Sequence, residues 1–171
     1  MEFMQVIKKR KSIRRYKDTQ INEEELKQIL FAGCAAPISR KEYASIKITV
    51  VQDKAILQQI SFTAKSPSDP LYGAPTLIII STTKASVKNV ECFNVACIVE
   101  NMLLAATNIN IGSIYLTYFL KKLIKEKSLM LKLGIPEGFI PISAVGLGYF
   151  AEAEELKEDK DIEHRMNIEI I

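Results

Sequence analysis

The sequence predicts a protein of mixed helices and strands, and three stretches carry that prediction. Asn22 and Glu25 are spaced as in a capping box, which is typical of a helix start. Residues 76–81 lack alternation, with four apolar residues in a row at 77–80, which indicates a strand covered on both faces. Residues 92–109 are apolar nearly all round, which is typical of a helix buried in a core or in a subunit interface.

Shorter patterns predict the remaining elements. The helical spacing of Phe3, Val6 and Ile7 predicts a first helix. Alternation over residues 46–51 predicts a half-buried strand, and Asp53 is placed to cap the helix that follows. Further along, the patterns predict a strand that ends in a turn by residue 119, an amphipathic helix over residues 120–133 and a strand over residues 140–150.

Length and composition predict one cytoplasmic domain over residues 1–171. Apolar residues make up 48% of the chain, enough for a core, and the net charge of +3 does not require a nucleic-acid partner. The charged N-terminus and the lack of a long apolar run predict neither a signal peptide nor a membrane segment. Cys34, Cys92 and Cys97 lack metal-ligand spacing and are predicted to be buried free thiols, and a single histidine excludes a multi-histidine metal site.

A basic segment at residues 8–16 is the strongest candidate for a binding site. Six of these nine residues are cationic, with Ser12 and Ile13 between them and Tyr16 at the end. Guanidinium forks, a hydroxyl and backbone amides held at the end of a packed helix are suited to an anion such as phosphate. The plainer alternative is a solvated basic face or a weak nucleic-acid patch. The interruption by Ser12 and Ile13 favours the anion site.

Residues 10–16, RKSIRRY, resemble the R-R-S-x-R-x-[FY] opening of the nitroreductase family, the FMN-dependent NAD(P)H oxidoreductases. Other segments are similar to the family in the same order along the chain: GAP at residues 73–75, ENMLLAA at 100–106, and GIPEG at 134–138. Gly146 and Gly148 interrupt the last strand as in the family, and mark either a bulge or close packing. The agreement in order carries more weight than any one motif.

The resemblance implies an α+β fold in which helices flank a central, mostly antiparallel sheet. It also implies an intertwined homodimer that exchanges C-terminal strands. Ile168 and Ile170 alternate with Asn167 and Glu169, as an added strand requires. Two FMN molecules would lie at the dimer interface, each touched by both chains.

The family's cofactor contacts carry over to three groups of residues and one residue near the C-terminus. The basic segment would hold the FMN phosphate and ribityl chain, together with a basic residue of the tail, for which His164 is a weaker candidate. A loop after the second helix corresponds to the family's A-P-S-x-x-N-x-Q-P-W, although Gln-Pro-Trp is absent, and its arginine would replace the missing amide at the flavin's pyrimidine edge. The end of the third strand would lie along the flavin ring. The candidates are Arg10, Lys11, Ser12 and Arg14; Pro37, Ile38, Ser39 and Arg40; Tyr115, Leu116, Thr117 and Tyr118; and Arg165.

The chemistry that the resemblance implies is ping-pong hydride transfer from NADH or NADPH through flavin N5 to a small oxidant such as a nitroaromatic or a quinone. No side chain acts as a catalytic residue in that scheme, because the flavin carries the hydride. Thr117 and Tyr118 stand where the family has glycines. These replacements and the missing Gln-Pro-Trp leave open an alternative, a non-catalytic protein that binds or carries FMN. A nucleic-acid-binding module is a weaker alternative, which would bind with a steep salt dependence.

Overall fold

The computed structural model describes residues 1–85, 87, 89–151, 156–159 and 165–171. Two short 3-10 turns, Ser39–Lys41 and Tyr43–Ser45, lead into the first strand. Within the described ranges the helices are α1 (Phe3–Lys9), α2 (Glu23–Cys34), α3 (Lys54–Thr63), α4 (Glu91–Asn108), α5 (Leu120–Leu123) and α6 (Lys127–Lys132), and the strands are β1 (Ile46–Val51), β2 (Thr76–Thr82), β3 (Gly112–Leu116) and β4 (Ile140–Gly148).

The four strands form one antiparallel sheet in the order β1-β2-β4-β3. All seven residues of β2 are buried, as the lack of alternation over residues 76–81 predicts. Ile78 and Ile80 pack with α2 and α4 on one face, whereas Leu77 and Ile79 pack with α3, α5 and α6 on the other. Helices therefore cover both faces of the sheet, which confirms the predicted α+β class with a mostly antiparallel sheet.

Both predicted helix caps are confirmed. Asn22 Oδ1 accepts a hydrogen bond from the Glu25 backbone N–H at 2.9 Å, and Glu25 Oε2 accepts one from the Asn22 N–H at 2.9 Å. Asp53 Oδ1 accepts from the Ile56 N–H at 2.9 Å at the start of α3. These bonds satisfy backbone donors that have no partner within the first helical turn.

The two glycines of β4 mark close packing rather than a bulge. A Cβ at Gly146 would lie 2.9 Å from Ile114 Cγ2, and one at Gly148 would lie 2.7 Å from Pro75 Cδ. The register shift in the β2–β4 pairing lies elsewhere, between Ile80 and Ser81.

The predicted helix over residues 120–133 is wrong as one element, because the chain forms α5 and α6 with a break between them. Leu123 and Leu129 are buried but lie six residues apart, a spacing that one straight helix cannot place on one face. At the break, the N–H groups of Lys125 and Glu126 bond to carbonyls three residues back.

Two predictions of burial are also wrong. The three cysteines are free, but Cys34 and Cys92 are exposed and Cys97 is partly buried, because α2 ends at Cys34 and α4 turns Cys92 outward. The alternation in β1 fails at Val50, which is 36% exposed, because β1 is an edge strand of the sheet.

No helix in the described part of the chain is both long and apolar enough to cross a membrane. Residues 165–171 are exposed along the single chain. Their predicted role as an exchanged strand therefore stays a prediction about a second chain.

Candidate functional site

The basic segment lies against the edge strand β3. Ser12 forms a parallel β-bridge with Ser113, and the Ile13 N–H donates to the Ser113 carbonyl at 2.9 Å. Ile13 is fully buried against Gly112, where a Cβ would lie 3.1 Å from Ile13 Cγ2. The apolar residue among the cations is therefore the anchor of the segment, and it fixes Ser12 and Arg14 on either side of it.

Arg10 ends α1 and reaches toward α4. Its backbone N–H donates to the Val6 carbonyl at 2.9 Å, and its Nε lies 3.9 Å from Glu100 Oε1. Both side chains are partly exposed, at 30% and 54%. A loose, solvated ion pair of this kind contributes little to stability. The guanidinium therefore keeps donors for a more strongly charged anion.

Arg14 lies over an aromatic ring. Its Cζ is 5.7 Å from the ring centroid of Tyr72, which belongs to the turn before β2. This distance is within the range of cation–π contacts. The contact brings the turn at residues 69–73 to the basic segment.

The C-terminal segment runs back to the same end of α1. The Asp159 N–H donates to the Lys8 carbonyl at 3.0 Å, and Arg165 pairs with the Asp159 carboxylate. Arg165 is thereby linked through Asp159 to the residues that precede Arg10. The weaker candidate, His164, lies outside the described residues.

The residues predicted to face the flavin ring lie at the end of β3 and directly after it. Ser113 and Tyr115 alternate along β3 with Ile114 and Leu116, whose side chains enter the core cluster of α3 and α5. Tyr115 is 41% exposed on the face that Ser113 shares, and Leu116 is 6% exposed. Leu116 can therefore reach a ligand only through its backbone. Thr117 and Tyr118 follow the strand and are exposed.

The loop with Pro37, Ile38, Ser39 and Arg40 lies elsewhere on the chain. The Ser39 N–H donates to Asn94 Oδ1 at 3.1 Å, near the start of α4. Asn94 is buried, whereas Glu100, which pairs with Arg10, is exposed and lies six residues further along the helix. Six residues correspond to about 9 Å along a helix axis. The loop and the basic segment therefore contact α4 at different levels within the single chain.

Three contact residues were missed by sequence reasoning. Asn94 is a polar residue within an apolar helix, and a buried polar side chain needs a partner, which was a usable signal. Glu100 lies in the same helix but is exposed, so its pairing with Arg10 carried no such signal. Tyr72 carried no signal, because its contact with Arg14 depends on the turn geometry.

The donor set is suited to a phosphate-bearing cofactor. Arg10 and Arg14 provide forked donors, and Ser12 adds a hydroxyl at the same edge of the sheet. Beneath them, the Ser113 hydroxyl is buried without a hydrogen-bond partner. A cluster of three or more His, Cys, Asp or Glu side chains that could bind a metal does not occur among the described residues.

An antiparallel sheet covered by helices, with a cationic segment along its edge strand, defines the class of nitroreductase-like folds. The nitroreductase family model matches residues 7–149, and the chain belongs to that family. It is 31% identical over 162 residues to a candidate NADH dehydrogenase/NAD(P)H nitroreductase of Archaeoglobus fulgidus, across 94% of this chain and 92% of the relative. A protein of Methanothermobacter thermautotrophicus with the same description is 31% identical over 161 residues, across 89% of this chain and 79% of the relative.

Solved structures agree with this assignment. A nitroreductase from Bacteroides fragilis with bound FMN superposes with a TM-score of 0.85 at 29% identity, across 99% of this chain and 100% of that one. An FMN-dependent nitroreductase from Clostridium difficile gives a TM-score of 0.80 at 25% identity, across 98% and 99%. A nitroreductase from Desulfitobacterium hafniense shares the fold, with a TM-score of 0.83 at 21% identity, across 99% of each chain.

Proposed function

We propose that this chain, an FMN-dependent oxidoreductase of the nitroreductase family, uses NADH or NADPH to reduce nitroaromatics, quinones or related small oxidants in a ping-pong cycle. The observation that carries the proposal is the basic segment fixed on β3 through Ser12 and Ser113, two residues before Tyr115 on the same strand. The Bacteroides fragilis relative, which contains FMN, supports the cofactor.

When bound, FMN supplies the two-electron chemistry, by accepting hydride from the nicotinamide and passing it to the oxidant. The chain's own contribution begins with the phosphate. Arg10, Lys11, Ser12 and Arg14 hold it by charge-assisted hydrogen bonds, and Arg165 adds a further cation from the tail. The Ile13 anchor and the α1 end fix these donors before the cofactor arrives, which lowers the entropy that binding costs.

The flavin ring is placed by the end of β3. The exposed Tyr115 side chain, the Leu116 backbone and residues Thr117 and Tyr118 form one wall of the space in which a nicotinamide and an oxidant would take turns. Tyr118 is 68% exposed and stands where the family has glycine, so it narrows that space. No acid–base side chain is assigned a step in this scheme.

The complete site requires a homodimer. Pro37, Ile38, Ser39 and Arg40 lie near Asn94, about 9 Å along α4 from the level of Arg10. The family resemblance, which implies that both chains touch each FMN, supports a second copy supplying this loop to the cofactor held by the first. Arg40 has a backbone φ of 53°, an uncommon conformation for a residue other than glycine, and its side chain is exposed. In the dimer, Arg40 would face the flavin's pyrimidine edge.

Exposed apolar residues on α4 and in the C-terminal tail also support a homodimer. Phe93 on α4 is 70% exposed, and Ile168 and Ile170 in the tail are 80% and 94% exposed. In the proposed dimer, the partner would cover these apolar side chains. The tail would exchange as a strand onto the partner's sheet. We further propose that residues 1–171 act as one domain in the cytoplasm, without a nucleic-acid or membrane partner.

The second candidate function is an FMN carrier without turnover. The observation that favours it is Tyr118, whose side chain takes up space beside the proposed ring position. One assay distinguishes the reductase from the FMN carrier. The purified protein should show flavin absorption bands in both cases, but only the reductase should oxidise NADH or NADPH steadily when a quinone or a nitroaromatic is added.

A further inference from the structure

We infer that Tyr72 is a positioning residue, which holds the Arg14 guanidinium in place for the phosphate-bearing cofactor. The inference rests on the proposed function. It starts from two independent observations at one turn: the ring of Tyr72 lies beneath Arg14, and the backbone of Tyr72 is in a conformation that its side chain disfavours.

The turn is held by Asp69. Its Oδ1 accepts from the Leu71 N–H at 3.0 Å and from the Ser61 hydroxyl at 2.6 Å, and its Oδ2 accepts from the Gly73 N–H at 2.6 Å. Its backbone carbonyl accepts from the Tyr72 N–H at 3.2 Å. Four hydrogen bonds to one residue leave the turn little freedom, so the direction of the Tyr72 side chain is determined by the scaffold.

The conformation of Tyr72 is costly. Its φ is 55° and that of Gly73 is 71°, so two successive residues are left-handed. Glycine and asparagine tolerate this region, whereas a bulky aromatic residue rarely adopts it. Such conformations persist where the surrounding structure enforces them, and they cluster at functional sites. None of the four hydrogen bonds to Asp69 uses the Tyr72 side chain, so the turn itself does not account for the ring.

The Tyr72 ring contacts the guanidinium of Arg14. The Arg14 Cζ lies 5.7 Å from the ring centroid, while the ring remains 41% exposed. Arg14 is otherwise exposed and carries a long, flexible side chain. Stacking on a rigidly held ring restricts the guanidinium to few orientations while leaving its N–H donors free for an anion. The ring therefore preorganises Arg14 and lowers the entropy that cofactor binding costs.

The test uses two single variants at Tyr72, an Arg14→Met variant and a double variant, all of the full chain, and measures FMN affinity by quenching of flavin fluorescence. Tyr72→Asn keeps a residue that tolerates the left-handed backbone but removes the ring, and Tyr72→Phe keeps the ring. We expect Tyr72→Asn to weaken FMN binding about two- to fivefold, the range of an exposed cation–π contact, and Tyr72→Phe to stay within about twofold of the wild type.

The decisive arm repeats Tyr72→Asn in an Arg14→Met background, where the inference predicts no further loss. An equal loss in both backgrounds would show that Tyr72 acts on the fold or on the cofactor directly, and would overturn the inference. Equal losses in Tyr72→Asn and Tyr72→Phe would overturn it as well, because the hydroxyl would then be responsible. A wild-type protein that does not bind FMN would instead contradict the proposed function, so the two failures are distinguishable.

Discussion

Ser12 and Ser113 lie side by side in a parallel β-bridge, and the Ile13 N–H donates to the Ser113 carbonyl at 2.9 Å. This bridge joins the end of the first helix to the edge of the sheet, although the two serines are far apart in sequence. It places the cationic donors beside the strand that ends at Leu116. The phosphate and ring parts of the proposed cofactor site therefore share one rigid support.

The first prediction concerns the phosphate contacts. Charge-assisted hydrogen bonds contribute roughly 1.5–3 kcal/mol each. Replacing Arg10 or Arg14 by Ala should therefore weaken FMN binding by about ten- to a hundredfold, as measured by titration with free FMN. Arg15→Ala is the matched control, because Arg15 lies in the same segment and is not assigned to the cofactor. Unchanged affinity in both Arg10→Ala and Arg14→Ala would remove the assignment.

The second prediction concerns the tail. Deleting residues 166–171 should convert the proposed dimer to a less stable species and release FMN in the same step, because the exchanged strand would position Arg165 as well as cover the partner's sheet. Sedimentation and the flavin spectrum of the truncated protein measure the two effects. Glu169→Ala, which keeps the apolar side of the tail, is the control and should retain both properties. A well-folded monomeric wild type would be incompatible with this account.

The third prediction concerns Tyr118. Its ring is exposed, and the resemblance aligns it with a glycine of the family, so Tyr118→Gly should open the proposed substrate space. We expect kcat/KM to rise for bulky quinones relative to small ones, while FMN affinity changes little. Tyr118→Phe keeps the bulk and should retain the wild-type ratio. An unchanged ratio in Tyr118→Gly would mean that Tyr118 does not line the space.

The fourth prediction concerns stability at alkaline pH. The Tyr149 hydroxyl donates to Glu25 Oε2 at 2.7 Å, and this hydrogen bond to a carboxylate raises the pKa of Tyr149 above its ordinary value near 10. The unfolded chain then loses the tyrosine proton at lower pH than the folded one. The stabilisation is fully present below about pH 10, and the free energy of unfolding falls as the pH rises from there through the folded pKa.

Denaturant unfolding between pH 8 and pH 11 is the measurement. Tyr149→Phe should show a smaller fall in the free energy of unfolding over this range than the wild type. Glu25→Gln should behave similarly, because it removes the carboxylate while keeping a side chain suited to the capping box. If the free energy of unfolding fell as steeply in both variants as in the wild type, the Tyr149–Glu25 hydrogen bond would not be the cause of the alkaline destabilisation.

Most helices and strands could be predicted from patterns among residues that are neighbours in sequence. The predictions that failed depend on tertiary packing. The Asn22 capping box and the buried run at β2 were readable because each depends on neighbours in sequence. The break between α5 and α6 was not, because it depends on where Leu123 and Leu129 meet the rest of the core. Exposure of Cys92 was missed because α4 is apolar nearly all round, so the sequence does not distinguish its exposed face from its buried face.

The site was predicted in parts. The resemblance at residues 10–16 named the candidate cationic donors, whose role stays a prediction, and the structure shows Ile13 anchoring their segment on β3. Sequence order alone could not show that the loop around Ser39 lies at another level of α4 from Arg10. It could not show Tyr72 beneath Arg14 either, because the contact joins residues 58 positions apart through a turn.

The most direct test of the proposed reductase is anaerobic mixing of the FMN-loaded protein with NADH and, separately, with NADPH. Hydride transfer from at least one of them should bleach the visible flavin absorption within the time of a single turnover, before any oxidant is present. Dithionite serves as the control that the bound flavin is reducible. Bleaching by dithionite but by neither nicotinamide would contradict the reductase and favour the FMN carrier.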